Sequence, residues 1–321
     1  MSPTNAPKNE NENPNEPARG RRLPLWLAIM AVLLTAFAGA AGAGETPAAK
    51  EANTAPAAQA SPDPLTGYPK NVVRAIKDGT TLEQIDLRET AIVDLRPLKT
   101  LRPKELYLNF CEHLTDFAPL AELTTLEYIE MNDAMADLTP LRSLPLKALS
   151  LYGCKKITNF SILAEIKTLN SLNLCFTAIA DLTPLKKLPL RGIELWGTKI
   201  TDLTPLTEMK SLTVLNLGRT AITNLAPLRS LPLCELDLSV CEKITDFSPL
   251  MEMKSLNRLI LRGTAITDLS PLRGLPLEKL VLKDCQRIND LSPLKGMKTL
   301  KEIDLRGTKF DGTPLKEIIG E

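Results

Sequence analysis

Leucine recurs along this chain with a beat longer than a helix or a single strand requires. From Leu82 onward the segments "LKALSLYGCKKITNFSIL", "LNSLNLCFTAIADLTPL", "LRGIELWGTKITDLTPL", "LTVLNLGRTAITNLAPL" and "LNRLILRGTAITDLSPL" superimpose. Their leading leucines, Leu146, Leu169, Leu190, Leu212, Leu233, Leu256, Leu277 and Leu300 among them, stand 21 to 23 residues apart. A period of that size marks a solenoid, in which each unit is one turn that buries its apolar side only against its neighbours. Within "IELWG" the period drops to two. Ile193 and Leu195 are therefore predicted to point inward and Gly192, Glu194 and Trp196 outward, as on a strand covered on one side. In "DLTPL", "DFSPL" and "DLSPL" a Thr or Ser precedes Pro, which predicts an N-cap hydroxyl, proline at the first helical position and a short turn on the far side.

Eleven such units fit between residues 82 and 318. They come in two kinds: those opening "PL" mostly carry Cys at the ladder position, while those opening "KTL" or "KSL" carry Thr, so a double unit of about 44 residues has been copied. The consensus L-x-x-L-x-L-x-x-[T/C]-x-I-x-D-L-x-P-L resembles the leucine-rich repeat, in its short subclass of about 22 residues seen in bacterial internalins. The resemblance implies an α/β solenoid, a horseshoe with a parallel concave β-sheet and short helical or 3₁₀ turns on the convex side. It also implies a binding role for the concave surface, without naming what is bound.

The remaining segments frame the repeats. Residues 1–22 are rich in Asn, Pro and Glu and are expected to be disordered. Arg19, Arg21 and Arg22 then precede the uncharged run 23–43, which ends in Ala41-Gly42-Ala43. It reads equally as a cleavable signal peptide and as a transmembrane anchor. Either way the positive flank predicts that the rest of the chain is exported, to be anchored outside the membrane, secreted or periplasmic. Residues 44–64 form a Pro/Ala-rich linker and 65–81 an N-terminal cap, with an amphipathic helix closed by Gly79; 319–321 end the chain after Ile318.

Charge and chemistry narrow the function by subtraction. Lys plus Arg number 39 against 38 Asp plus Glu, a net +1 that gives no reason to expect nucleic acid. The only histidine, His113, stands where sister units have Lys156 and Lys243, and no Ser-His-Asp set, phosphate loop or metal-ligand spacing can be built. No enzyme, cofactor or metal is therefore expected. Cys111, Cys154, Cys241 and Cys285 fall on the inward ladder, two units or more apart and beyond disulfide reach, so free buried thiols are expected there, and no partner is expected for Cys175 or Cys234. Asp94, Asp116, Asp137, Asp181, Asp202, Asp246, Asp268 and Asp290 precede each turn. Asn159 and Asn224 replace them elsewhere, which fits a carboxylate bonded to backbone N–H groups better than a calcium ladder.

Partner binding is what remains. The outward strand positions of the early units hold Tyr107, Tyr128, Tyr152 and Trp196, beside Glu194, with Phe110 and Phe176 one residue further on. The alternation places the Tyr and Trp side chains in solvent, as rigid, low-entropy contacts for a protein or peptide. Carbohydrate or cell-wall recognition through the same rings is the alternative. A second candidate patch groups Arg258, Arg262, Lys279 and Lys283 around Ile260 and Val281, suited to an acidic partner. The membrane enters only through the N-terminal run, if it is retained.

Overall fold

The computed structural model describes residues 63–320. The tail, the apolar run 23–43 and the linker up to residue 62 lie outside the described residues. Eleven three-residue strands, from β1 (Gln84–Asp86) to β11 (Glu302–Asp304), form one parallel sheet in strict chain order. Each pairs in register with the next, so every repeat position becomes a column running across the sheet: Asn173 on β5 (Ser171–Asn173) faces Glu194 on β6 (Gly192–Glu194), which faces Asn216 on β7 (Val214–Asn216).

The spine is as the periodicity predicts. Leu190, Ile193, Leu195, Ile200, Leu203 and Leu206 of one unit are all fully or almost fully buried, and the same positions continue in one apolar core along the described repeats. Helix α1 (Lys70–Asp78) caps the first turn with Val72 and Ala75 buried, and Gly79 ends it at φ +64°. Helix α2 (Leu315–Ile319) closes the far end with Ile318 and Ile319.

The convex segments are 3₁₀ turns, such as Thr204–Leu206, but their caps differ from the expectation. The cap position is Leu203, Thr204 is already the first turn residue, and no Ser or Thr hydroxyl caps it. The carboxylate two residues upstream does the work: Asp202 Oδ1 accepts the Thr204 N–H at 2.8 Å. The same bond recurs at Asp94, Asp116, Asp137, Asp181, Asp246, Asp268 and Asp290, and the amides Asn159 and Asn224 make it too. A short carboxyl or amide arm reaches the N–H at i+2 in a turn geometry where a hydroxyl one bond shorter does not.

The ladder explains why two kinds of unit alternate. Thr90 Oγ1 donates to its own unit's Leu87 carbonyl at 2.5 Å, and Cys111 Sγ of the next unit donates to that same oxygen at 2.9 Å. Thr220 and Cys241 share the Leu217 carbonyl, and Thr264 and Cys285 share that of Leu261. A carbonyl oxygen has two lone pairs, and in these double units both are satisfied inside the core. All six cysteines are free.

Candidate partner-binding face

Except in the third unit, where Asn132 is buried and bonds back into the turn, each strand sends three side chains to the open face of the sheet, the last just beyond the strand, and then turns through a left-handed residue. Gly153, Gly197, Gly263 and Gly307 occupy that exit position as its positive φ favours, but Phe110, Phe176, Arg219 and Val240 hold the same conformation at φ between 54° and 60°. A non-glycine residue there costs roughly 1 kcal/mol or more, and most for a β-branched or bulky one. The two phenylalanines are thus held in a backbone state their side chains disfavour.

The predicted aromatic residues gather in two groups. On the first strands the Tyr107 and Tyr128 rings meet with centroids 5.2 Å apart, and the Arg88 guanidinium lies 5.3 Å over Tyr107. The Tyr107 hydroxyl donates to Glu105 at 3.1 Å; burial and that carboxylate push its pKa up to about 12. Further along, Tyr152 and Phe176 meet edge to face at 5.4 Å, Phe176 lies against Gly197, and the six-membered ring of Trp196 lies against Gly218 of the next unit. Phe110 is 68% exposed and Tyr152 41%, two of the four large hydrophobic side chains exposed among the described residues. Tyr107, Phe176 and Trp196 are half-buried.

Two predicted contacts are not available to solvent. Tyr128 is buried, packed at a tilt against Tyr107 and facing the small Ala148 across the register. Glu194 is buried as well, although it points to the open face. Strands about 4.8 Å apart wall a central column on both sides, so Asn173 and Asn216 enclose its carboxyl. Burial pushes its pKa up to about 7, against the pull of the Asn216 amide; Asp237, in the same column beyond Asn216, is also raised by burial. Outward alternation fixes the direction of a side chain but not its exposure.

The second patch is brought together by β9 (Arg258–Ile260) and β10 (Lys279–Val281), with Ile260 and Val281 adjacent and half-buried. Its charge, however, is largely matched. Arg262 pairs with Asp284 at 3.2 Å, Lys279 with Glu302 at 2.6 Å and Arg258 lies 3.8 Å from Glu235, leaving Lys283 as the cation of that group with no ion pair among the described residues. Among the described residues no cluster of potential metal ligands occurs, and no helix is long and apolar enough to cross a membrane.

Register, ladder and turns together define a leucine-rich-repeat solenoid, with short repeats resembling the internalin type. Among solved structures the chain is similar to an internalin (inlF) from Listeria monocytogenes, 26% identical over 67% of this chain and 71% of that one, with a TM-score of 0.56. It is also similar to internalin C2 of the same species, at 27% identity over 58% and 74% with a TM-score of 0.44. A leucine-rich-repeat protein of Leptospira interrogans shares 15% identity over 75% and 82%, with a TM-score of 0.48. No protein-family model matches the chain, and no curated protein does.

Proposed function

We propose that the chain is an exported, non-catalytic binding module that holds a protein or peptide partner on the open face of its sheet, at Tyr107, Tyr152, Phe176 and Trp196. A leucine-rich-repeat solenoid similar to an internalin supports a protein-interaction module. The observation that carries the more specific reading is the exposure of Tyr152 on the open face, with Phe176 edge to face against it and the half-buried Trp196 two strands further on. Rigid aromatic rings on a fixed scaffold supply contact area with little entropy loss on binding. Export rests on the apolar run 23–43 with its basic flank.

The test is a pull-down with the wild-type chain and with the Tyr152→Ala, Trp196→Ala double variant, run beside a glycan array. A protein captured by wild type and lost by the variant supports the reading. A variant that keeps every captured protein refutes the aromatic site, and array binding without any captured protein shifts the assignment to carbohydrate. Melting curves of both chains check that the variant is folded.

A further inference from the structure

At the strand-exit rim, a cavity of about 490 Å³ is lined by Lys155, Phe176, Thr177, Gly197, Lys199 and Arg219, drawn from units four to seven. Its wall carries three cations and no carboxylate. Among the described residues none of the three forms an ion pair, whereas convex-side Lys99, Arg142, Lys186 and Arg229 are each matched by a glutamate of the following unit. Two residues of the wall, Phe176 and Arg219, sit in the left-handed exit conformation that neighbouring Gly153 and Gly197 fill without strain.

From this cavity we infer that the rim clamps a short acidic segment of the partner, its carboxylates between Lys155, Lys199 and Arg219 and an apolar side chain against Phe176. The inference deepens the proposed partner-binding role and rests on it, since Phe176 joins the rim to Tyr152 on the open face. Length argues for a short peptide. The cations span units four to seven, about 14 Å at roughly 4.8 Å per strand, and an extended peptide sets alternate side chains about 6.7 Å apart. Three alternating acidic residues therefore cover the cluster. A long polyanion fits less well, because Glu112 and Glu242 hold the position equivalent to Lys155 and Lys199 in units two and eight, so each end of the basic stretch is flanked by negative charge.

The probe is a capped, fluorescein-labelled heptapeptide of alternating Glu and Leu with a central Phe, beside a twin with Gln for Glu, titrated against the full-length chain by fluorescence anisotropy. The acidic peptide is expected to bind at least tenfold more tightly than its twin, and to weaken at least tenfold between 0.05 and 0.5 M salt. Lys199→Glu and Arg219→Glu each abolish the difference, while the convex-side Lys186→Glu leaves it unchanged. Equal binding of the two peptides, full binding by the charge-reversed variants, or binding of a sulfated oligosaccharide in place of the peptide overturns the inference. Failure here with partner capture still dependent on Tyr152 and Trp196 removes the rim clamp alone; capture that ignores Tyr152 and Trp196 removes the reading beneath it.

Discussion

Replacing Gly218 by alanine tests the seat of Trp196 directly. A Cβ built on Gly218 lies 2.0 Å from Trp196 Cε3 and 2.2 Å from Cζ3. Ordinary carbon contacts need about 3.5–4.0 Å, so the ring must retreat by about 1.5–2 Å. Gly218 does not have positive φ, so alanine adds no backbone strain and the perturbation is confined to the ring. Overpacking in a closed core costs roughly 1–3 kcal/mol, and the half-buried Trp196 has room to swing outward, so the lower end applies. About 1 kcal/mol corresponds to a fall of roughly 2–4 °C in Tm for a domain of this size. Emission measured in a Trp26→Phe background, where Trp196 is the sole tryptophan, is expected to move to the red as the ring leaves its seat. Gly153→Ala is the control: its φ is +72° and its Cβ meets nothing within 4 Å, so it is destabilising through the backbone but leaves the emission in place. A Gly218→Ala chain with both unchanged Tm and unchanged emission refutes the seating of the ring on Gly218.

Three further outcomes follow from the described geometry. Glu194 has a native pKa of about 7 against an ordinary 4.5, so between those values the native state keeps a proton the unfolded chain has lost. Stability thus falls as pH rises from 4.5 to 7, by about 3 kcal/mol, and Glu194→Gln should melt higher than wild type at pH 8 but alike at pH 4. At the turns, Asp202→Ala should lower Tm while Asp202→Asn should not, because Asn159 and Asn224 already make that bond; the bond to Thr204 lowers the Asp202 pKa, so its contribution fades as pH drops below the ordinary carboxylate range. Thiol titration of the native protein should label Cys234 alone, the one half-buried cysteine among five buried ones, and all six after denaturation; early labelling of Cys241 or Cys285 contradicts the shared-carbonyl ladder.

What could be read in the sequence was whatever repeats. The inward leucines, the ladder thiols, the turn carboxylates and both end caps follow from register, since each recurs or closes a recurring unit. The turn cap was misassigned to Thr204 because a hydroxyl before proline looks like a helix start, whereas the longer arm of Asp202 reaches the N–H. The burial of Tyr128 and Glu194 was not legible, because it depends on partners one strand away: Tyr107 in one case, Asn173 and Asn216 in the other. The pairing of the second patch was not legible for the same reason, with Asp284, Glu302 and Glu235 brought by the fold beside its cations. The rim cavity was least visible of all. Lys155 and Arg219 stand 64 positions apart in the sequence and line one cavity only through the stacking of four units.

The shared carbonyl has a bearing on how such a molecule can change size. A Cys unit leans on the Thr unit before it, as Cys241 does on Leu217 and Cys285 on Leu261, so the self-consistent brick is two turns long. Excising Leu212 to Ser255, one complete brick, leaves the ladder thiols of Cys111, Cys154 and Cys285 each with the oxygen it meets now. Thr177, Thr198 and Thr220, by contrast, follow one another in three consecutive units and each bonds a carbonyl of its own unit. The solenoid can therefore change length by single turns through that middle stretch and by whole pairs across its Thr–Cys units, much as a wall of mixed courses is lengthened by one brick in one course and by a full repeat of the bond in another.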